Sequence, residues 1–236
     1  MNHIYLALDF PTWEESKQFL DDHQLKEVPV KVGMELFYRE GAYVIEQLKN
    51  RNHPIFLDLK LHDIPTTVMR AMRNLATLEV DIVNVHALGG SEMIKRAKEG
   101  LASINKQHET KLIAVTILTS MDEQTMNNDL QLQGSIEQHV THLAKVAKNG
   151  GADGVVCSVH EVEMIKQHCG TSFLTVTPGI RLPSSKENDQ KRVATPSLAR
   201  RIGTDSIVIG RSITKANNPL EAYQQAQEEW KNGTSK

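Results

Sequence analysis

The segment FLDLKLHDIPTT, residues 56–67, sets two acids and a base inside an apolar run. Leu57, Leu59 and Leu61 alternate with Asp58 and Lys60, and Asp63 follows three residues later. In an extended strand, residues i and i+2 share a face. Asp58 and Lys60 should then stand together opposite the leucines. A lysine alone in a low-dielectric site sheds its proton, whereas one flanked by carboxylates keeps it and can act as an acid. With Lys31 from an earlier strand, Asp58, Lys60 and Asp63 form a candidate alternating array in which each charge offsets its neighbour's desolvation. These four are the candidate catalytic residues. A purely structural ion-pair network uses the same residues. So would a magnesium site on Asp58 and Asp63, although Lys60 competes with a metal for that space.

Something has to hold those charges. Eight β-branched apolar runs recur, at 4–10, 28–36, 55–61, 81–88, 112–118, 154–159, 173–180 and 205–213. Helical patterns separate them, with Thr12 before Glu14 and Glu15 as a start signal, Asn149-Gly150-Gly151 as a stop and Pro219 at a first turn. Alternating strands and helices predict parallel βαβ units. Eight of them in 236 residues fit a single-domain α/β fold, a (β/α)8 TIM barrel. A doubly wound open sheet is the rival, and it concentrates polar residues after one or two strands. Here they recur at the ends of many strands, which favours the barrel.

A barrel places its active site at the C-terminal ends of its strands. Standing there are Asp9, Lys31, Asp58 and Lys60, then Asn84 and His86, then Thr119 and Ser120. Pro178, Gly179 and Arg181 end the seventh strand, and Gly210 and Arg211 the eighth. Lys31 reads either as a site residue or as a structural partner for Asp9. Asn84 and His86 receive no role. Gly210 and Arg211 are either a turn with a surface arginine or a phosphate cradle of backbone N–H groups and a guanidinium fork. The polar stretch 181–196 reads as a surface loop or as a lid, at about 181–194, with Gly179 and Pro183 at its hinge and Gln190 reaching the ligand.

The formal net charge is −2 and the pI about 6.6, so nucleic acid and anionic membranes are not expected partners. The first residues lack a basic leader and no apolar run spans a bilayer, which predicts a cytoplasmic protein. Cys157 and Cys169 form no metal or disulfide pattern and are expected to be reduced and buried.

The pattern D-x-K-x-x-D-I-P-x-T, made by Asp58, Lys60, Asp63, Ile64, Pro65 and Thr67, resembles the signature of the orotidine 5'-phosphate decarboxylase family in its monofunctional bacterial form. LALDF, KVGMELF, LTS, TPGIR, the DQKR of the lid and IGRSIT extend the likeness over nearly the whole chain. The resemblance implies a decarboxylation of orotidine 5'-monophosphate to UMP with no cofactor and no metal. It implies that Lys60 protonates C6, that Asp58 lies against the leaving carboxylate, and that Lys31 and Asp9 serve the ribose. Thr119 and Ser120 would bind the pyrimidine. Arg181, Gln190, Gly210 and Arg211 would hold the phosphate, with Pro178 beside them. It further implies a homodimer in which Asp63, with Thr67 near the ribose, enters the neighbouring subunit's site. A magnesium-dependent sugar-phosphate decarboxylase or aldolase is the nearest alternative, and a non-catalytic nucleotide sensor a more distant one.

Overall fold

The computed structural model describes residues 2–104, 109–182 and 194–233. Eight parallel strands close on themselves: β1 (Ile4–Ala7), β2 (Val30–Gly33), β3 (Ile55–Leu61), β4 (Ile82–His86), β5 (Lys111–Val115), β6 (Gly154–Val156), β7 (Leu174–Thr177) and β8 (Ser206–Ile209). β1 pairs with β8 through Ile4 and Ile207, which removes both sheet edges. The eight apolar runs are therefore all strands and the expected barrel is present. Its strands are shorter than the runs. Met34–Leu36 begin a helix, Met34–Glu40, and Arg211–Ile213 lie in another, Arg211–Thr214. In both cases a glycine at the strand end, Gly33 or Gly210, precedes the change of direction. Thr12 caps Trp13–Asp22 by accepting from the Glu15 N–H at 3.1 Å, as its position predicts. A short helix, Glu123–Asn128, capped by Asp122, follows β5.

Two apolar layers follow from strand alternation. One packs the outer faces of the strands against the helices. The other fills the barrel with Tyr5, Ala7, Phe56, Ile82, Ile113, Val176 and Val208. Those inward positions carry the site upward: Asp9 lies two residues beyond Ala7, Asp58 two beyond Phe56, and Asn84 two beyond Ile82. At the opposite end, an aspartate precedes each of β4, β6 and β8. Asp81, Asp153 and Asp205 accept the N–H of Ile55, Leu112 and Thr175 at 2.6, 2.8 and 2.7 Å. These carboxylates tie β3 to β4, β5 to β6 and β7 to β8 at the barrel floor.

Candidate active site

A cavity of about 580 Å³ opens at the C-terminal end of the barrel. Its lining includes Asp9, Lys31, Asp58, Lys60, Thr119, Pro178, Arg181, Gly210 and Arg211, over an apolar base that includes Phe56, Val115, Val156 and Val208. The charges run in sequence around the wall. Lys31 Nζ is 2.8 Å from Asp9 Oδ1 and 3.6 Å from Asp58 Oδ2, and Lys60 Nζ is 2.7 Å from Asp58 Oδ1. Gly33 leaves room for this pair, since a Cβ there would stand 3.3 Å from Lys31 Nζ.

The alternating array is thus Asp9, Lys31, Asp58, Lys60. Asp63 is not part of it within one chain: its side chain is exposed and its Oδ1 accepts the N–H of Ile64 at 2.6 Å. The chain leaves the strand at Leu61, so Asp63 sits in the turn before the helix Pro65–Ala76, beyond the alternation that orders Asp58. Thr67, in the first turn of that helix, is exposed and does not line the cavity. Ser120 is exposed as well and does not line it, whereas Thr119 is buried in the wall. Gln190, Pro183 and the body of the expected lid lie outside the described residues, which include Arg181, Leu182 and Ala194 at its ends.

Burial acts to raise the pKa of Asp58, but the charges of Lys31 and Lys60 and hydrogen bonds from Lys60 and Asn84 outweigh it. Its carboxyl is held below the ordinary aspartate range. Lys31 shows the converse: burial works against its ammonium, yet Asp9 and Asp58 together push its pKa above the usual lysine value. Both groups therefore stay ionised through neutral pH. His86, at the end of β4, is pushed down by burial and by His62 and Lys60, and is neutral there. Among the described residues no group of three or more His, Cys, Asp or Glu side chains is placed to hold a metal ion. Cys157 and Cys169 are free and buried, as expected.

The sequence reading missed Thr214 and Lys215, which line the cavity beyond Arg211. Their signal was weak, because they lie just past the eighth apolar run, at the end of the short helix Arg211–Thr214 and at its C-cap. It also left Asn84 without a role, although that side chain bonds directly to Asp58. Its signal was present: a polar residue at an inward position near the end of β4.

What the site can do chemically follows from its charges. It presents an ammonium held against a carboxylate at one side of a pocket with an apolar base, and two arginines at the ends of β7 and β8. That arrangement suits a ligand with a phosphate at one end and a reacting centre that gains negative charge at the other. Comparisons with known proteins agree. The family model described as Orotidine 5'-phosphate decarboxylase / HUMPS family matches residues 2–226. The chain is 54% identical over 233 residues to the orotidine 5'-phosphate decarboxylase of Bacillus cytotoxicus, covering 98% of each. A crystal structure of orotidine 5'-phosphate decarboxylase from Lactobacillus acidophilus superposes with a TM-score of 0.85 at 42% identity, over 98% of this chain and 99% of that one. An uncharacterized conserved protein from Geobacillus kaustophilus gives a TM-score of 0.84 at 45% identity, covering 96% of this chain and 99% of its own. Among the described residues no helix is long and apolar enough to cross a membrane.

Proposed function

The chain belongs to the orotidine 5'-phosphate decarboxylase / HUMPS family, and from that premise we infer that it converts orotidine 5'-monophosphate to UMP and carbon dioxide. It is a carboxy-lyase of pyrimidine biosynthesis. The observation that carries the mechanism is the Lys60 ammonium held 2.7 Å from Asp58 in the cavity wall.

Breaking the C6–carboxylate bond leaves its electron pair on C6, an sp² carbon with no adjacent electron sink. The barrier is lowered by a fixed positive charge where that negative charge develops. Lys60 supplies it, then gives a proton to C6 as the new C6–H bond forms, and regains one from water. Asp58 keeps Lys60 aimed and sets a negative charge beside the leaving carboxylate. Lys31 ties Asp58 to Asp9, and these two meet the ribose. Thr119, buried in the cavity wall, meets the pyrimidine. Arg181, Gly210 and Arg211, with Pro178 beside them and Gln190 from the lid, hold the phosphate. Contacts to that remote group add binding energy that assembles the charged array around the base. The reaction needs neither metal nor cofactor.

The working unit in this reading is a cytoplasmic homodimer with two shared sites. Asp63 and Thr67 are exposed in one chain and flank Ile64, an apolar side chain 67% exposed. A second subunit would cover that apolar residue and receive Asp63. Mixing Asp63→Ala with Lys60→Ala chains tests the arrangement, because a mixed dimer then holds one complete site. Activity about a quarter of wild type is expected from random pairing; no recovery, with mixed dimers confirmed by mass, refutes sharing.

The chemistry is tested by following the absorbance of orotidine 5'-monophosphate with purified protein in excess EDTA. Conversion to UMP at an undiminished rate is expected. Conversion that EDTA abolishes and magnesium restores would overturn the metal-free mechanism. Failure to convert under both conditions would overturn the substrate.

A further inference from the structure

β3 and β4 do not stay in step beside the charged array. Leu57 pairs with Val83 and Leu61 with Val85, so β3 spends four residues where β4 spends two. Lys60 lies inside this bulge with φ at +53°, a left-handed conformation that a side chain other than glycine adopts only where its surroundings impose it. Bulges re-aim side chains and leave backbone groups without a ladder partner. Here the missing partner is a side chain. Asn84, between Val83 and Val85, accepts the Lys60 N–H on its Oδ1 at 2.7 Å. Its Nδ2 donates to Asp58 Oδ1 at 2.6 Å, the same oxygen that Lys60 Nζ approaches. The orientation of the amide is fixed by chemistry: reversed, it would set NH₂ against an N–H and a carbonyl against a carboxylate.

We propose that Asn84 is a positioning residue for the decarboxylation, its amide standing in for the broken strand ladder and locking Lys60 and Asp58 into one relative geometry. Asn84 is 1% exposed. On its other flank β5 offers Ile113, its register partner, so the amide has a single polar side to serve. The charged and titratable groups facing that side are Asp58 and Lys60 on β3, Lys31 on β2 with Asp9 behind it just past β1, and His86 two residues along β4 with His62 beside it. This inference rests on the role assigned to Lys60, and the wild-type assay separates the two. If wild type does not turn over orotidine 5'-monophosphate, the functional reading fails. If wild type does and the Asn84 variants match it, only the present inference fails.

Two variants make the test. Asn84→Ala removes both bonds and should lower kcat about a hundredfold, the scale of a misplaced reacting group, with KM within about threefold because no ligand contact is lost. Asn84→Asp keeps the shape and the acceptor for the Lys60 N–H but sets a second carboxyl against Asp58. Like charges that close cannot both stay ionised, so the pair holds a proton well above the ordinary aspartate range. Protonated, the new side chain donates to Asp58 as the amide did; ionised, it repels Asp58 and competes for Lys60. The kcat of Asn84→Asp should therefore rise as pH falls through that raised pKa, a limb that wild type lacks. A residue that merely fills space produces no such limb. If Asn84→Ala does not fold, the pH profile of Asn84→Asp decides alone. A kcat for Asn84→Ala within threefold of wild type, or an Asn84→Asp profile parallel to wild type, overturns the proposal.

Discussion

Replacing Lys60 with methionine keeps the hydrocarbon stem and deletes the ammonium, so it separates what the charge does for stability from what it does for chemistry. The Lys60–Asp58 pair is partly buried, with side chains 24% and 11% exposed. Stripping the only partner from a buried charge costs about 3–5 kcal/mol. Asp58 would not be stripped: Lys31 remains at 3.6 Å and Asn84 at 2.6 Å. The expected loss is therefore about 1–2 kcal/mol, discounted further by the exposure of Lys60. For a chain of this size that lowers Tm by about 2–8 °C. The chemical loss is far larger. One fixed charge at a developing anion contributes about 3–4 kcal/mol, and proton delivery about 3–5 kcal/mol more. Together they predict a kcat about 10⁴–10⁷-fold below wild type. The assay is steady-state loss of orotidine 5'-monophosphate, run beside thermal unfolding and UMP binding. A Lys60→Met protein that keeps its fold and turns over within tenfold of wild type refutes the mechanism. A Tm drop much beyond that range would instead show that the array is chiefly structural.

Three further outcomes follow from other parts of the molecule. Arg211→Ala should raise KM about 10- to 100-fold, the worth of a charge-assisted contact, with a smaller fall in kcat; unchanged kinetics would remove Arg211 from the phosphate site. At the barrel floor, the Asp205 carboxylate accepts from the Thr175 N–H, the Thr175 hydroxyl and Lys166 Nζ at 2.7, 2.9 and 2.6 Å, so Asp205→Ala should cost about 2–3 kcal/mol, read as a lowered Tm with KM unaltered. The Asp58 carboxyl titrates below its unfolded value, so its contribution to stability is present above that value and lost as pH falls through the folded one; the Tm difference between wild type and Asp58→Asn should hold constant from about pH 5 to 9 and shrink below about pH 4, and a difference that began to change near neutrality would contradict the depressed pKa.

Local pattern made much of this legible, and its failures have local causes. The eight apolar runs announced the barrel because each strand is covered on both faces and must be apolar throughout. Asp58, Lys60 and Lys31 were legible because charge inside such an apolar run stands out, although a structural ion-pair network would use the same residues. The strand ends were misplaced where a glycine turns the chain with no change in apolar pattern, as at Met34 and Ile213. That Asp63 stands outside the single-chain array was not legible, because strand alternation says nothing about a residue beyond the strand. Asn84 was seen and passed over because its importance depends on a bulge in the neighbouring strand, and a bulge arises from pairing between segments rather than from either segment's composition. Alternation also gave the right neighbours for an incomplete reason: Asp58 and Lys60 do meet, but with Lys60 itself in a left-handed conformation rather than along a regular pleat.

That bulge bears on how the fold tolerates its site. Four ionised side chains in one wall carry no net charge, since Asp9 and Asp58 balance Lys31 and Lys60, so the array is not driven apart on removal of water. Neutrality alone would let the lysines exchange partners, and Lys60 is useful only if its ammonium points at one place. Geometry has to come from uncharged groups, which do not titrate and do not compete for the substrate. The apolar layer of Phe56 and Ile82 fixes the two strands from below, and the Asn84 amide fixes them at the level of the charges. Strand pairing is regular at the floor, where Asp81, Asp153 and Asp205 reinforce it, and irregular only at the mouth. Strain at Lys60 is thereby confined to the one segment whose conformation the chemistry needs, while the floor supplies the stability that sustains it.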